Sequence, residues 1–310
     1  MGKYIAQRLA MMIVVILGIS FIVFTIMNLT PGNPAQIILG QSAPPEQVAR
    51  LEEELGLNNP FFVRYFDYIK DMLHGDFGES YNTGLPVFQE IFARFPATLQ
   101  LSAIAMFFAA LIGIPVGVIS AVRQYSFTDA VSTTLALLFA SVPSFVLGLV
   151  LMLVFSLHLR WFPATGLNGL TSYILPAVTL STATMATLVR MTRSTMLEVL
   201  KQDYIRTARA KGVDEKTVVL KHSLRNALLP IITVIGVDFG YLLGGAVVIE
   251  SVFSISGLGS LLITGIRMKD TPTVMAAIMF VTLAYSLVNL AVDIIYAFID
   301  PRIKSQYERG

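Results

Sequence analysis

The stretch MTRSTMLEVLKQDYIRTARAKGVDEKTVVLKHSLRNALLP, Met191 to Pro230, is too polar to cross a bilayer and too regular to be a loose loop. Apolar runs flank it, Tyr173 to Val189 before and Ala227 to Ile249 after. From Arg190 onward it carries Arg193, Lys201, Arg206, Arg209, Lys211, Lys216, Lys221 and Arg225. Loops this rich in Lys and Arg are retained on the cytoplasmic side of a membrane. Arg190 with Arg193, and Arg206 with Arg209, recur at helical spacing, and Gly212 breaks the pattern. Asp214 is placed to cap a second helix through Lys216, Val218, Lys221 and Arg225, with Pro230 in the first turn of the next span. The segment therefore reads as helices parallel to the membrane. Composition leaves open whether they rest on anionic headgroups or meet a partner.

Outward from this segment the chain is mostly lipid-soluble. Of its 310 residues 55% are hydrophobic and 14% charged, against about a quarter charged in water-soluble domains. Six runs approach the roughly 20 residues that a spanning helix needs: Leu9 to Leu29, Ala97 to Val122, Ala130 to Leu159, Tyr173 to Val189, Ala227 to Ile249 and Thr271 to Ile299. The fourth is short and rich in Thr, Ser and Ala, and the fifth contains Asp238. Alternation from the basic segment places both termini inside, with Lys3, Arg8, Arg302 and Lys304. The first run is too long for a secretory signal and ends in Asn28-Leu29-Thr30-Pro31 without a small-residue cleavage site. The expectation is an all-α polytopic membrane protein with six transmembrane helices. It divides into a start and first span (1–29), an extracytoplasmic insertion (30–96), a five-helix core with its inner segment at 190–226 (97–300), and a tail (301–310).

The outer stretch is acidic and carries two helix signals. Pro44-Pro45-Glu46 opens one that ends at Gly56, and Asn59-Pro60 offers a cap and first-turn proline for another ending near Gly75. Phe61, Phe62, Tyr65, Phe66 and Tyr68 crowd the second helix. Two readings stand: rings packed on the span ends or at headgroup level, or a docking surface for an external partner. Within the spans, Gly113, Pro115, Gly117 and Pro143 fit either broken helices around a pathway or close packing through small residues.

Chemistry is argued mostly by exclusion. There is no cysteine, and the three histidines, His74, His158 and His222, lack ligand spacing. No Gly-x-x-x-x-Gly-Lys-Ser/Thr run exists, so the chain does not itself cradle ATP phosphates. No catalytic residue, cofactor, metal site or nucleic-acid partner is expected. Asp238 lies near the centre of a span, where an acid is costly and faces a watery cavity or a partner. A place on a translocation path and a hydrogen bond to a neighbouring partner are both open. Asp293, one turn after Asn289, reads with it as a structural cap or inter-helix bond. Glu250, Arg267 and Asp270 are expected at the outer face, solvated.

Asp203-Tyr204-Ile205-Arg206-Thr207-Ala208-Arg209-Ala210-Lys211-Gly212, continued by His222-Ser223-Leu224-Arg225-Asn226-Ala227-Leu228-Leu229-Pro230, resembles the coupling loop of the dipeptide, oligopeptide and nickel permeases of ABC importers. Further agreement comes from Met191-Thr192-Arg193-Ser194, Thr30-Pro31-Gly32-Asn33-Pro34, Gly75-Asp76-Phe77-Gly78, and Asn289, Asp293 and Asp300-Pro301-Arg302. The resemblance covers essentially the whole chain and implies a type I permease fold and the first of a pair of permeases. It also implies a second permease subunit, two cytoplasmic ATPase subunits that bind ATP and Mg, and an external binding protein that delivers cargo. It implies that Arg206, Ala208, Arg209, Ala210, Lys211 and Gly212 couple the chain to an ATPase subunit. Cargo of di- or oligopeptides leads, with nickel chelates or glutathione as alternatives. A stand-alone secondary transporter using Asp238 is a reading of another class, against which the lack of evident internal repeats argues. Ser256 stands where many relatives have proline before Gly257-Leu258-Gly259, which loosens the expected turn.

Overall fold

The computed structural model describes residues 2–40, 42–167 and 169–299. Among them the regular structure is helical. In chain order the helices are α1 (Gly2–Leu29), α2 (Pro34–Leu39), α3 (Pro45–Glu54), α4 (Phe61–Leu73), α5 (Val87–Val122), α6 (Phe127–Ser141) and α7 (Ser144–Leu151). Then follow α8 (Ile174–Leu200), α9 (Asp203–Ala210), α10 (Glu215–Thr217), α11 (Leu224–Val252), α12 (Leu258–Arg267) and α13 (Thr271–Ile299). The turns Met152–His158 and Val218–Ser223 are π-helical, and the second joins α10 to α11 in one run, Glu215–Val252. Asp300-Pro301-Arg302, Lys304 and the 301–310 tail lie outside the described residues.

Among the described residues five helical stretches are long and apolar enough to cross a bilayer: Ala6–Leu29, Val87–Val122, Leu170–Leu200, Glu215–Val252 and Thr271–Ile294. The sixth expected span is not one rod, because Phe127–Ser141 and Ser144–His158 meet at 98°. Pro143 is the cause. It has no N–H to donate and disfavours helical geometry at the residue before it, and Val142 is extended, at φ −81° and ψ 125°.

The described residues form two compact units, 99–255 with 285–299, and 2–98 with 256–284. In the first, α8 is the buried post. Several of its hydroxyls satisfy themselves: those of Thr179, Thr182 and Thr187 donate to carbonyls of their own helix at 2.7, 2.9 and 3.1 Å, while the buried Thr192 hydroxyl has no hydrogen-bond partner among the described residues. Leu188 and Met196 of α8 are fully buried in one cluster with Ala227 and Ile231 of α11. Glycines allow backbones to touch. A Cβ on Gly117 would sit 2.6 Å from Thr192 Cβ and 2.7 Å from the Val189 carbonyl oxygen, and one on Gly240 would overlap the Tyr285 ring. Close packing thus explains Gly113 and Gly117, while a broken helix explains Pro143.

In the second unit, α4 lays Phe61 and Tyr65 edge-on against Phe21 of α1, with centroids 6.0 and 5.3 Å apart. The Tyr65 hydroxyl meets that of Ser20 at 2.9 Å. Phe62 and Phe66 stay exposed, so the helix divides its rings between packing and an open face. Lys269 Nζ donates to the carbonyl oxygens of Thr30 and of Gly32, the latter at 2.8 Å, which fastens the Thr30–Pro34 turn.

Several expectations change here. Arg190 to Leu200 is not a surface helix but the continuation of α8, since nothing in that sequence stops it. Pro230 lies inside α11 because the helical run starts earlier, at Glu215. Pro60, not Asn59, occupies the cap of α4, without a side-chain bond. Glu250 and Asp270 are buried rather than solvated. Asp270 accepts the Ser80 hydroxyl at 2.5 Å and the Thr273 N–H at 3.3 Å, so the acid caps α13 instead of facing water.

Candidate coupling and translocation residues

Helix α9 stands apart from the long rods. One side chain, Ile205, is fully buried and anchors it. Tyr204, Arg206, Thr207, Arg209 and Ala210 are exposed, as are Lys211 and Gly212 beyond its end, and Ala208 is half-buried. The end of α9 is built by backbone geometry. Val213 N–H bonds the Ala208 carbonyl at 3.2 Å and Gly212 N–H the Arg209 carbonyl at 3.0 Å. That pair of bonds needs a left-handed residue between them, and Gly212 supplies it at φ +75°.

The turn is then clamped. Arg209 Nε and Nη2 donate to the two carboxylate oxygens of Glu215 at 3.0 and 2.6 Å, a fork-on-fork pair of fixed orientation. This hydrogen-bonded carboxylate holds the Arg209 guanidinium above its ordinary pKa. Asp214 caps α10 by accepting the Thr217 N–H at 2.9 Å, and bonds from Thr217 hold its carboxyl below the usual aspartate value. Arg206 makes only a loose, exposed pair with Asp203 at 3.7 Å.

The fastening of α8, which leads into α9, depends on a pairing not expected from the sequence. Arg193 donates through Nε and Nη2 to Asp129 at 2.7 and 2.8 Å. Asp129 further accepts the Ser120 hydroxyl at 2.5 Å and the Tyr125 N–H at 2.9 Å. Ser126 caps α6 by accepting the Asp129 N–H. One carboxylate therefore joins the ends of α5 and α6 to α8. The signal was Ser126-Phe127-Thr128-Asp129, a cap followed by a first-turn acid, immediately before a run taken to begin at Ala130.

Asp238 is half-buried on α11, and among the described residues its carboxylate has no hydrogen-bond or ion-pair partner. An acid within a span faces the bundle interior, a water-filled cavity or a partner. Asn289 donates back to the Tyr285 carbonyl of its own helix at 3.1 Å. Asp293 is half-buried and engaged. The expected residues thus fall into a cluster on and after α9, with Asp238 and the Asn289 and Asp293 pair elsewhere. Among the described residues no group of three or more His, Cys, Asp or Glu is arranged to hold a metal ion.

Comparison with known proteins gives a consistent result. Residues 113–305 match the family described as binding-protein-dependent transport system inner membrane component, and residues 1–102 match the N-terminal membrane component of such systems. The glutathione transport system permease protein GsiC of Salmonella choleraesuis is 43% identical over 304 residues, covering 98% of this chain and 99% of the relative. The dipeptide transport system permease protein DppB of Alkalihalophilus pseudofirmus is 42% identical over 332 residues, covering 98% and 100%. Among solved structures, an inward-facing form of the MetNI methionine ABC transporter superposes with a TM-score of 0.60 at 20% identity. It covers 69% of this chain and 97% of that one, a likeness of fold.

Proposed function

The chain belongs to the binding-protein-dependent transport family, as a multi-pass inner-membrane permease subunit of an ABC importer of the peptide and nickel group, and on that premise we propose that its cargo is short peptides and that α9 is its coupling helix. Similar permeases are named for glutathione, itself a tripeptide, and for dipeptides, which supports peptide cargo. The reading places both termini and α9 in the cytoplasm, pairs the chain with a second permease, and assigns ATP and Mg to two ATPase subunits. An external binding protein supplies cargo.

One observation carries the coupling role. Helix α9 is held by a single buried anchor, Ile205, and presents Arg206 and Arg209, with Lys211 beyond them, on an open surface. A short helix of this kind suits a groove on a partner. A push on it reaches the spans as a rigid displacement, because packed helices move as bodies. Ala208 and Ala210 let the helix approach closely, Gly212 sets the exit turn, and the Asp129–Arg193 pair holds α8 so that the displacement is not lost in flexing. Asp238, open toward whatever lies beside α11, contacts either the second permease or the amino terminus of the passing peptide. Asn289 and Asp293 keep a structural role in α13.

The test is transport in proteoliposomes containing the full set of subunits. Substituting Arg206, Arg209 and Lys211 by alanine is expected to lower peptide uptake per ATP hydrolysed while leaving membrane insertion intact. Uptake by this chain alone under a proton gradient would overturn the reading.

A further inference from the structure

Leu111, Pro115 and Ile119 form an exposed stripe along α5 at helical spacing, a surface for acyl chains. At the last turn of α5 this stripe enters a cavity of about 450 Å³, which Val122 and, from the facing π-helical turn, Leu220 line with apolar side chains. Arg123 and Lys216 line the same cavity and are exposed. No described carboxylate lies within ion-pair distance of either cation. The acid that also lines the cavity, Glu215, is taken by Arg209 at 2.6 Å. An apolar wall running out of a span and ending in two unmatched cations suits a ligand with a negatively charged head and a hydrocarbon tail. Long basic side chains at span ends reach the headgroup level while their stems lie on apolar surface.

We propose that this cavity binds an anionic phospholipid, its phosphate between Arg123 and Lys216 and one acyl chain along Ile119, Val122 and Leu220. The bound lipid braces the start of the Glu215–Val252 rod against α5. The proposal rests on reading α5 as a bilayer span and does not depend on the coupling role of α9. A soluble anion would use the cations and leave the apolar wall wet, and a protein partner would have to present an acid at the end of an apolar stripe in the membrane.

The experiment uses the transporter purified with its partner subunits, in nanodiscs carrying traces of phosphatidylglycerol or phosphatidylcholine with a photoactivatable acyl chain. Phosphatidylglycerol is expected to label the peptides holding Ile119, Val122 and Leu220 about 30-fold more readily, since each basic group near a lipid surface contributes about fivefold. The R123Q/K216Q variant should reduce that labelling to the phosphatidylcholine level, and R123K/K216R should retain it. Equal labelling by the two lipids overturns the proposal, as does competition by inorganic phosphate, which would mark a soluble-anion site. Crosslinking of a benzophenone at position 220 to an ATPase subunit overturns it too. Uptake per ATP in the variant with Arg206, Arg209 and Lys211 replaced by alanine reports the coupling reading separately.

Discussion

Removing either partner of the Asp129–Arg193 pair should destabilise the first unit strongly, and removing both should cost little more. The pair makes two bonds, 2.7 and 2.8 Å, and the side chains are 6% exposed for Asp129 and 26% for Arg193. Breaking a buried pair leaves an uncompensated charge and costs about 3 to 5 kcal/mol. The partial exposure of Arg193 puts D129A and R193A at the low end, about 3 kcal/mol each. In D129A/R193A no charge is stranded, so independent addition to about 6 kcal/mol is not expected; the cycle should instead give a coupling energy of about 2 to 3 kcal/mol. D129N keeps the shape but loses the charge, and should fall between wild type and D129A. The assay is equilibrium unfolding of the purified chain in mixed micelles, read by helical circular dichroism for all four members of the cycle. Additivity within about 0.5 kcal/mol would refute the reasoning and mean that Arg193 finds other partners or water when Asp129 is gone. Uptake per ATP should fall in the single variants by more than folded yield accounts for, because α8 would then flex where it leads into α9.

Packing makes a sharp contrast between two glycines: Gly117→Val should cost about 1 to 3 kcal/mol through overpacking against Thr192 and the Val189 carbonyl, whereas Gly244, with nothing within 4 Å of an added Cβ, should accept alanine silently in a thermal melt. Gly212→Val should cost about 1 to 2 kcal/mol, because φ +75° is strained for any side chain. Hydrogen exchange should then quicken at Gly212 and Val213, whose N–H groups close the turn. The Asp214 cap should be pH-dependent. Its folded pKa is depressed by the bonds from Thr217, so its contribution is complete above the unfolded value of about 4 and disappears as pH falls through the folded one. Exchange at Thr217, corrected for intrinsic rates, should accelerate over that acid window in wild type and show no such step in D214N.

What the sequence determined alone follows from local physics. Uncharged runs near the length of a bilayer crossing, a basic segment between two of them, Pro45 and Gly56 at the ends of α3, Asp214 before α10 and Gly212 after α9 act within a few residues of themselves. These sites are legible without neighbours, because lipid solubility, capping and left-handed turns are properties of short stretches. The basic segment around α9 belongs to this class, and its exposure in the structure agrees with its polarity.

Tertiary structure decided what depends on who meets whom. Asp129 and Arg193 are 64 residues apart, Ser80 and Asp270 are 190 apart, and Lys269 reaches back 237 residues to Gly32. Each looks like an ordinary charged or polar residue near a helix end until its partner is in place. Solvation was the natural expectation for Glu250 and Asp270, since an isolated carboxylate near a span end finds water. Burial becomes affordable only when the fold brings donors to it, as Ser80 does for Asp270. The bend at Pro143 sits between these cases: the sequence announced a break, but not its 98°, because proline removes a bond and the packing of the surrounding helices sets the angle.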